Sequence, residues 1–314
     1  MKKHKVFIDG ESGTTGLQIR ERLKTHPNID IISIDHEKRR DQDVKRRIMQ
    51  SVDVTVLCLP DDAAREAAVL ADEVGCRVLD ASSAHRTAPE WVFGMAELCP
   101  SQRASIHNAS KVSNPGCYST GAILLLRPLV DAGLISVETA YSITAVSGYT
   151  GGGNRLIERY EAAPEQPPAY AMYGLDFSHK HLPEIQMWSK LTTRPFFLPS
   201  VGNFRQGMLV IIPIAHVKEN EGRRFHQCLQ RYYAAEQFVQ VQPFNVVDPD
   251  TAPFLTPHGM DGTNVVSLSV FGSPCGNKSI LVAKLDNLGK GASGAAVQNL
   301  NIMLGEEERI CTEL

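Results

Sequence analysis

Apolar and polar positions follow two different rhythms along this 314-residue chain. In the first third, short runs rich in β-branched residues each lead into a segment of helical period. "KVFIDG" (5–10) precedes "ESGTTGLQIRERL", where Leu17 and Leu23 start an apolar stripe and Ile19 is less well placed. "IDIISID" (29–35), "VDVTVLCLP" (52–60) and "CRVLDAS" (76–82) read as further strands, and "DDAAREAAVLADEV" (61–74) as a helix with Asp at its start. Strands alternating with helices predict βαβ units and a doubly wound parallel sheet of nucleotide-binding type over residues 1 to about 115.

The middle of the chain reads differently. "AYSITAVSGYT" (140–150), "MLVIIPIAHV" (208–217) and "NVVSLSVFG" (264–272) alternate or run apolar between long polar stretches. Helical pieces such as 222–237 are fewer, which predicts a mixed, largely antiparallel sheet. The closing segment, "NLGKGASGAAVQNLNIML" (287–304), is Gly/Ala-rich and then helical. The fold class expected is therefore α/β plus α+β. Residues 1–116 with 290–314 form a nucleotide-binding domain, and 117–289 a second, catalytic and oligomerisation domain.

Composition narrows the function classes. With 43% hydrophobic residues the chain can build full cores, and its net charge of −3 gives no reason to expect nucleic acid or an anionic membrane as partner. No apolar run approaches the ~18 residues of a membrane span, and "MKKHKVFIDG" reads as a strand opening rather than a signal peptide. Seven scattered cysteines, with no CxxC and no zinc-type spacing, argue against a disulfide framework or a metal site. The expectation is a reduced, cytoplasmic protein.

Five stretches carry candidate chemistry. "GESGTTG", Gly10 to Gly16, follows a strand and opens a helix, as a phosphate-binding turn requires. Gly10, Gly13 and Gly16 let backbone N–H groups approach an anion, and Ser12, Thr14 and Thr15 add hydroxyls. The alternative is a tight turn with no ligand. Asp35 ends the second strand as a ribose-binding acid would, but "EKRR" (37–40) follows at once and Arg39 suits a 2′-phosphate. That favours NADP, against a plain solvated helix start.

"LDASSAHR" (79–86) lies at the carboxyl end of a parallel strand, where ligands of such sheets bind. Ser82 and Ser83 are candidates to face a nicotinamide, and Arg86 to hold a phosphate or carboxylate as a fork, although the motif taken alone reads better as a surface loop with an exposed Arg. "VSNPGCYST" (112–120) puts Cys117 after a Pro115–Gly116 corner at the start of a helix, where dipole and N–H groups stabilise a thiolate. Pro128 is placed to kink or end the first part of that helix. A generic cysteine is more often a small buried hydrophobe, and the other six read that way. "SHKHLPEIQ" (178–186) offers His179 and His181 ahead of a helix start as bases for a thiol, against a surface pair with no role. His85, His107, His216 and His258 lack such context and read as structural. "DNLGKGASGAAVQN" (286–299) can approach a cofactor closely or simply pack tightly.

In this order, "GESGTTG", "DASSAHR", "NPGCYST", "HKHLPEI" and "DNLGKGASGAAVQN" resemble the shorter form of the N-acetyl-γ-glutamyl-phosphate reductases along nearly the whole chain. The resemblance implies a Rossmann-type domain and a second domain like those of aspartate-semialdehyde and glyceraldehyde-phosphate dehydrogenases. It further implies NADPH-dependent reduction of N-acetyl-L-glutamyl 5-phosphate to the 5-semialdehyde with release of phosphate, in arginine biosynthesis, by a homodimer or homotetramer. Cys117 is then the acyl carrier, and His181 or His179 the base, with His181 favoured. Arg86 binds the phosphate, Asn114 shapes the corner and contacts the substrate, and "SGYTGGGNR" (147–155) supplies a substrate loop with Ser147, Gly148 and Arg155. Asn154 stands where the longer form commonly has Arg. Asn287 and Gly291 line the nicotinamide. The nearest rival chemistry is that of aspartate-semialdehyde dehydrogenase or another phosphorylating acyl reductase. A different class is a cofactor-free cysteine–histidine acyltransferase or hydrolase, which leaves the Gly-rich turn unused, and a third is a nucleotide-binding regulatory protein.

Overall fold

The computed structural model describes residues 3–162, 167–216, 220–247 and 252–313. The chain divides into two units, residues 1–115 with 292–314 and residues 116–291.

The first unit opens β1 (His4–Asp9), α1 (Thr14–Leu23), β2 (Ile29–Ile32), α2 (Gln42–Met49), β3 (Val54–Leu57), α3 (Asp61–Val74), β4 (Arg77–Asp80), β5 (Val92–Phe93), α4 (Gln102–Asn108) and β6 (Lys111–Ser113). Its six strands pair in parallel in the order β2-β1-β3-β4-β6-β5. Because strand side chains alternate between faces, each strand feeds two cores. Val6, Ile8, Val54, Val56 and Leu79 join one cluster with Ile19, Leu23 and Ile106. Phe7, Leu57 and Val78 join the other with Met49, Ala67, Ala71 and Trp91. Burial on both faces explains why these strands read as unbroken apolar runs.

The α1 stripe runs through Gly16, Ile19 and Leu23, whereas Leu17 is half exposed, so the expectation for Leu17 is corrected. The helix starts at Thr14, and counting from there puts positions 16, 19 and 23 on one side. α3 matches the expected 61–74 at both ends, with Asp61 and Asp62 in the first turn. Its end is set by Gly75, whose φ of 69° closes the last turn through N–H bonds to Ala71 and Asp72 carbonyls.

The second unit contains α5 (Cys117–Asp131), β7 (Ser142–Gly148), α6 (Asn154–Glu161), β8 (Tyr170–Met172), α7 (Leu182–Trp188), β9 (Phe196–Gly202), β10 (Met208–Ala215), α8 (Glu221–Tyr232), β11 (Val239–Val241), β12 (Val266–Gly272) and β13 (Lys278–Leu285). The sheet order is β11-β12-β13-β10-β7-β9-β8. β10 pairs antiparallel with β7 and β13, and β12 with β13, while β7–β9 and β11–β12 are parallel, so the sheet is mixed. β10 ends at Ala215; Val217, the end of the apolar run read there, lies outside the described residues.

On β10, Val210, Ile212 and Ile214 are buried while Pro213 and Ala215 are exposed, so one face of the strand is covered and the other open. α5 lies close over the covered face: a Cβ on Gly121 would sit 2.9 Å from Cγ2 of Val210. α5 runs on through Pro128 to Asp131, so the helix does not end at the proline. Proline removes the N–H that would bond the Leu124 carbonyl. The Tyr233 hydroxyl donates to that carbonyl at 2.8 Å instead, so the orphaned acceptor is satisfied.

The chain then returns to the first unit as α9 (Gly294–Leu304), after a single turn of π-helix over Gly289–Ser293. Ala296, Val297, Leu300 and Met303 of α9 complete the first of the two cores. No helix among the described residues is long and apolar enough to cross a membrane.

Candidate active site

Two concave regions, one in each unit, collect some of the residues singled out above: Gly10, Ser12, Gly13 and Arg39 in the first, and Ser147, Gly148, Arg155 and His179 in the second. In the first unit, a cleft of about 830 Å³ opens beside the carboxyl ends of β1 and β3, lined by Gly10 to Gly13, His36, Arg39, Arg40 and Lys45. Gly10 has φ +92°, and a Cβ there would lie 2.3 Å from the Cys58 carbonyl oxygen. A Cβ on Gly16 would lie 2.4 Å from the Gly10 oxygen, so neither position admits a side chain. The turn thus leaves bare backbone at the start of α1, whose N-cap Gly13 supplies no side-chain partner to the first-turn N–H groups. That is the arrangement an anionic pyrophosphate needs. The residues fit a dinucleotide.

Asp35 does not line this cleft; β2 ends at Ile32, and Asp35 lies in solvent 3.4 Å from Lys38. The acids that do are Asp9, Glu11 and Glu66, of which Asp9 is buried and paired with Lys45 at 2.6 Å. Burial raises the Asp9 pKa, and the Lys45 hydrogen bond works against that rise.

Ser82 and Ser83, expected to face a nicotinamide, are not among the residues that line this cleft. Their hydroxyls are committed to carboxylates, Ser82 to Asp80 at 2.7 Å and Ser83 to Asp61 at 2.7 Å. Asp80 also holds His85 Nδ1 at 2.7 Å, and the His85 ring stacks on Trp91. This knot carries the loop that ends in Arg86, whose Nε donates to the Asn114 carbonyl at 3.0 Å. Asn114, read as a substrate contact, has its carboxamide inside the first unit: Nδ2 donates to Ala292 O and Oδ1 accepts from Asn299. These bonds anchor the residue that follows β6.

In the second unit Cys117 is the first residue of α5, partly exposed, after Gly116 in extended conformation. The α7 segment packs against this corner. Buried Glu184 accepts the Gly116 N–H on Oε2 at 3.1 Å, while its Oε1 stands 3.9 Å from Nε2 of His181. One carboxylate therefore serves both the cysteine corner and a histidine. Nothing in the sequence pattern singled out Glu184 except its place in "HLPEI". The two histidine rings meet edge-on at 4.8 Å, and both edge against Tyr118. His179 Nδ1 accepts the His181 backbone N–H at 3.1 Å, so a neutral His179 carries its proton on Nε2 and acts as a donor.

Gly291 packs directly on the thiol residue, since a Cβ there would lie 2.7 Å from the Cys117 Cβ. Asn287, expected to line a nicotinamide, has its carboxamide bound to Gly207 N and Thr150 Oγ1. It braces the loop that carries Thr150.

Beside this cluster lies a cavity of about 820 Å³ that takes in Ser147, Gly148, Arg155 and His179. It adds Arg159, Lys180, Tyr118 and Tyr173, which sequence reasoning missed. Arg155 and Arg159 are four apart on α6, the helical spacing that shares a face, and this signal was present in the sequence. The Tyr173 hydroxyl donates to Tyr118 and Tyr118 to the Ser200 carbonyl, both at 3.0 Å. Burial pushes the Tyr173 phenol up to about 12, and that of Tyr118 well above its ordinary value.

The other cysteines are not uniform. Burial raises the thiol pKa of Cys58, Cys76 and Cys228, but Cys275 is exposed and hydrogen bonding with Ser273, then Asn277, lowers it. The reading of Cys275 as a buried hydrophobe is corrected. All seven are free thiols.

Residues 5–106 match the family model described as the semialdehyde dehydrogenase NAD binding domain, and 117–287 that of the semialdehyde dehydrogenase dimerisation domain. The chain is 49% identical to N-acetyl-gamma-glutamyl-phosphate reductase 2 of Nostoc sp., covering 99% of each chain. It is 46% identical to the N-acetyl-gamma-glutamyl-phosphate reductase of Brucella ovis, covering 97% of this chain and 100% of the relative. Among solved structures, aspartate semialdehyde dehydrogenase from Francisella tularensis superposes with a TM-score of 0.73 at 15% identity, over 96% of this chain and 100% of that one. Aspartate semialdehyde dehydrogenase II from Vibrio cholerae gives 0.71 at 15% identity, over 97% and 99%. At such identity these structures speak for the fold, whereas the relatives speak for the family. With its glycine turn, its helix-opening cysteine and its histidine pair in family order, the chain belongs to the N-acetyl-γ-glutamyl-phosphate reductases, within the semialdehyde dehydrogenases.

Proposed function

We propose that this chain reduces N-acetyl-L-glutamyl 5-phosphate to N-acetyl-L-glutamate 5-semialdehyde with release of phosphate, using NADPH and Cys117 as a covalent acyl carrier. The observation that carries the reading is the packing of "HKHLPEI" on the cysteine corner through Glu184 and Gly116. A carboxylate is a poor hydride acceptor, so the acyl group must first become an activated ester. His181 takes the Cys117 proton. The thiolate attacks the acyl carbon, the C–O bond to phosphate breaks, and a thioester forms as phosphate leaves. NADPH, when bound, supplies the hydride that reduces the thioester. The resulting thiohemiacetal oxyanion collapses to aldehyde, expelling the Cys117 thiolate. His179, with its proton on Nε2, donates to the carbonyl oxygen as charge develops there, and α5 N–H groups support the thiolate at both ends of the cycle.

Arg86 holds the departing phosphate, and Arg155 the substrate α-carboxylate as a fork. The cofactor is NADP rather than NAD: Arg39 and Arg40 line the cleft, while Asp35, the acid that would accept a ribose hydroxyl, does not. The enzyme works in the cytoplasm, in keeping with its free thiols. It assembles as a homo-oligomer through the open face of the second sheet, where Pro213 of β10 lies opposite exposed Ile280 of β13.

The test is phosphate-dependent reduction of NADP by N-acetyl-L-glutamate semialdehyde, with aspartate semialdehyde as the rival substrate. Cys117→Ser is expected to lower the rate by about a thousandfold or more while NADP binding is kept. Full activity in that variant overturns the covalent route. Arg86→Ala is expected to raise the apparent KM for phosphate.

A further inference from the structure

We propose that Arg155, Arg159 and Lys180 form a cationic wall that restricts the enzyme to substrates whose α-nitrogen is acylated, because the wall repels a free α-ammonium. The inference rests on the reading that the 820 Å³ cavity of the second unit takes the acyl substrate.

All three cations line the cavity, and among the described residues no Asp or Glu lines it. Arg155 and Arg159 share one face of α6. The acidic residues of the same helix are turned elsewhere: Glu161 pairs with Arg205 and accepts from the Tyr149 hydroxyl, and Glu158 is outside the lining. None of the three cations has an ion-pair partner among the described residues. The substrate α-carboxylate neutralises one of them. The site then still carries two positive charges, and an added ammonium is repelled by both.

An amide nitrogen is neutral and meets no such penalty. It also finds a partner. Because Tyr173 donates to Tyr118 and Tyr118 to Ser200, both hydroxyl hydrogens are spent inside the protein, and the Tyr173 oxygen offers only lone pairs to the cavity. An acceptor of that kind suits an amide N–H. The hydroxyls stay protonated through the working pH range because burial raises both phenols. Selection therefore combines a neutral acceptor for the amide with a repulsive field against the free amine.

The test uses a pair that differs only in the acetyl group, N-acetyl-L-aspartate semialdehyde and L-aspartate semialdehyde, with N-acetyl-L-glutamate semialdehyde as reference. Wild type is expected to favour the acetylated member in kcat/KM by about tenfold or more, a ratio that shrinks as salt is raised. Arg159→Glu and Lys180→Glu, both at exposed positions, are each expected to narrow it by about tenfold, chiefly by improving the free amine. Arg159→Gln should narrow it less. An unchanged ratio in both charge reversals overturns the cationic wall even if N-acetyl-L-glutamate semialdehyde is turned over normally. If wild type turns over no semialdehyde, the proposed reaction falls. Calorimetric binding of N-acetyl-L-aspartate against L-aspartate to the same variants then decides the wall by itself.

Discussion

The Glu184 carboxylate accepts the Gly116 N–H at 3.1 Å, one residue before Cys117, and its second oxygen stands 3.9 Å from His181. A carboxylate with 1% exposure in that position holds the cysteine corner, and in the proposed mechanism it offers negative charge to the imidazolium of His181. Glu184→Gln keeps an acceptor for Gly116 but removes the charge. Its kcat is expected to fall about 100-fold, with the pH optimum displaced and the melting temperature nearly unchanged. Glu184→Ala should lose stability as well, since the Gly116 N–H is left buried without a partner. Equal activity in the Gln variant and wild type removes the electrostatic role.

The proposed choice of NADP over NAD is tested in the cleft beside β1. Arg39→Ala is expected to raise the KM for NADP by about 10- to 100-fold, the value of one charge-assisted hydrogen bond to phosphate, and to leave the KM for NAD within about twofold. Equal losses for both cofactors assign Arg39 to general binding instead.

His26 gives the first unit a pH dependence. Its Nδ1 accepts the Asn28 N–H and its Nε2 faces Asn301 Oδ1, so the neutral ring satisfies both partners. Desolvation is the main cause of its lowered pKa, with the Asn301 hydrogen bond opposing. A histidine whose folded pKa lies below its unfolded value binds fewer protons when native, so stability is present above the unfolded pKa of about 6.5 and is lost as pH falls through it. The melting temperature is expected to drop between pH 7.5 and 5.5, and His26→Gln to remove that part of the drop. A parallel decline in the variant disproves the assignment.

Ile280 tests the open sheet face. It is 44% exposed opposite Pro213, and Ile280→Asp is expected to shift the protein to monomer in light scattering while leaving the unit folded. An oligomer of wild-type size moves the interface elsewhere.

Local pattern alone determined much of this protein. The alternation of β-branched runs and helical segments predicted the parallel sheet, because strands buried on both faces must be continuously apolar, as Val6, Phe7 and Ile8 are. Gly10 and Gly16 were legible as backbone-only positions, and the start of α5 at Cys117 follows from the Pro115–Gly116 corner. Tertiary structure decided the partners. Pro128 stays in its helix because Tyr233, a hundred residues on, supplies the missing donor. Asn114 and Asn287 read as ligand contacts because they are polar and near motifs, and their carboxamides also bond Asn299 and Gly207, groups far along the chain that a linear pattern does not reveal. Glu184 is the converse: it stood unremarked in "HLPEI", and only the approach of α7 to α5 makes its carboxylate part of the Cys117 corner. The sequence determines which residues can do chemistry and on which elements they lie; which of them are left free to do it depends on how distant segments spend their hydrogen bonds.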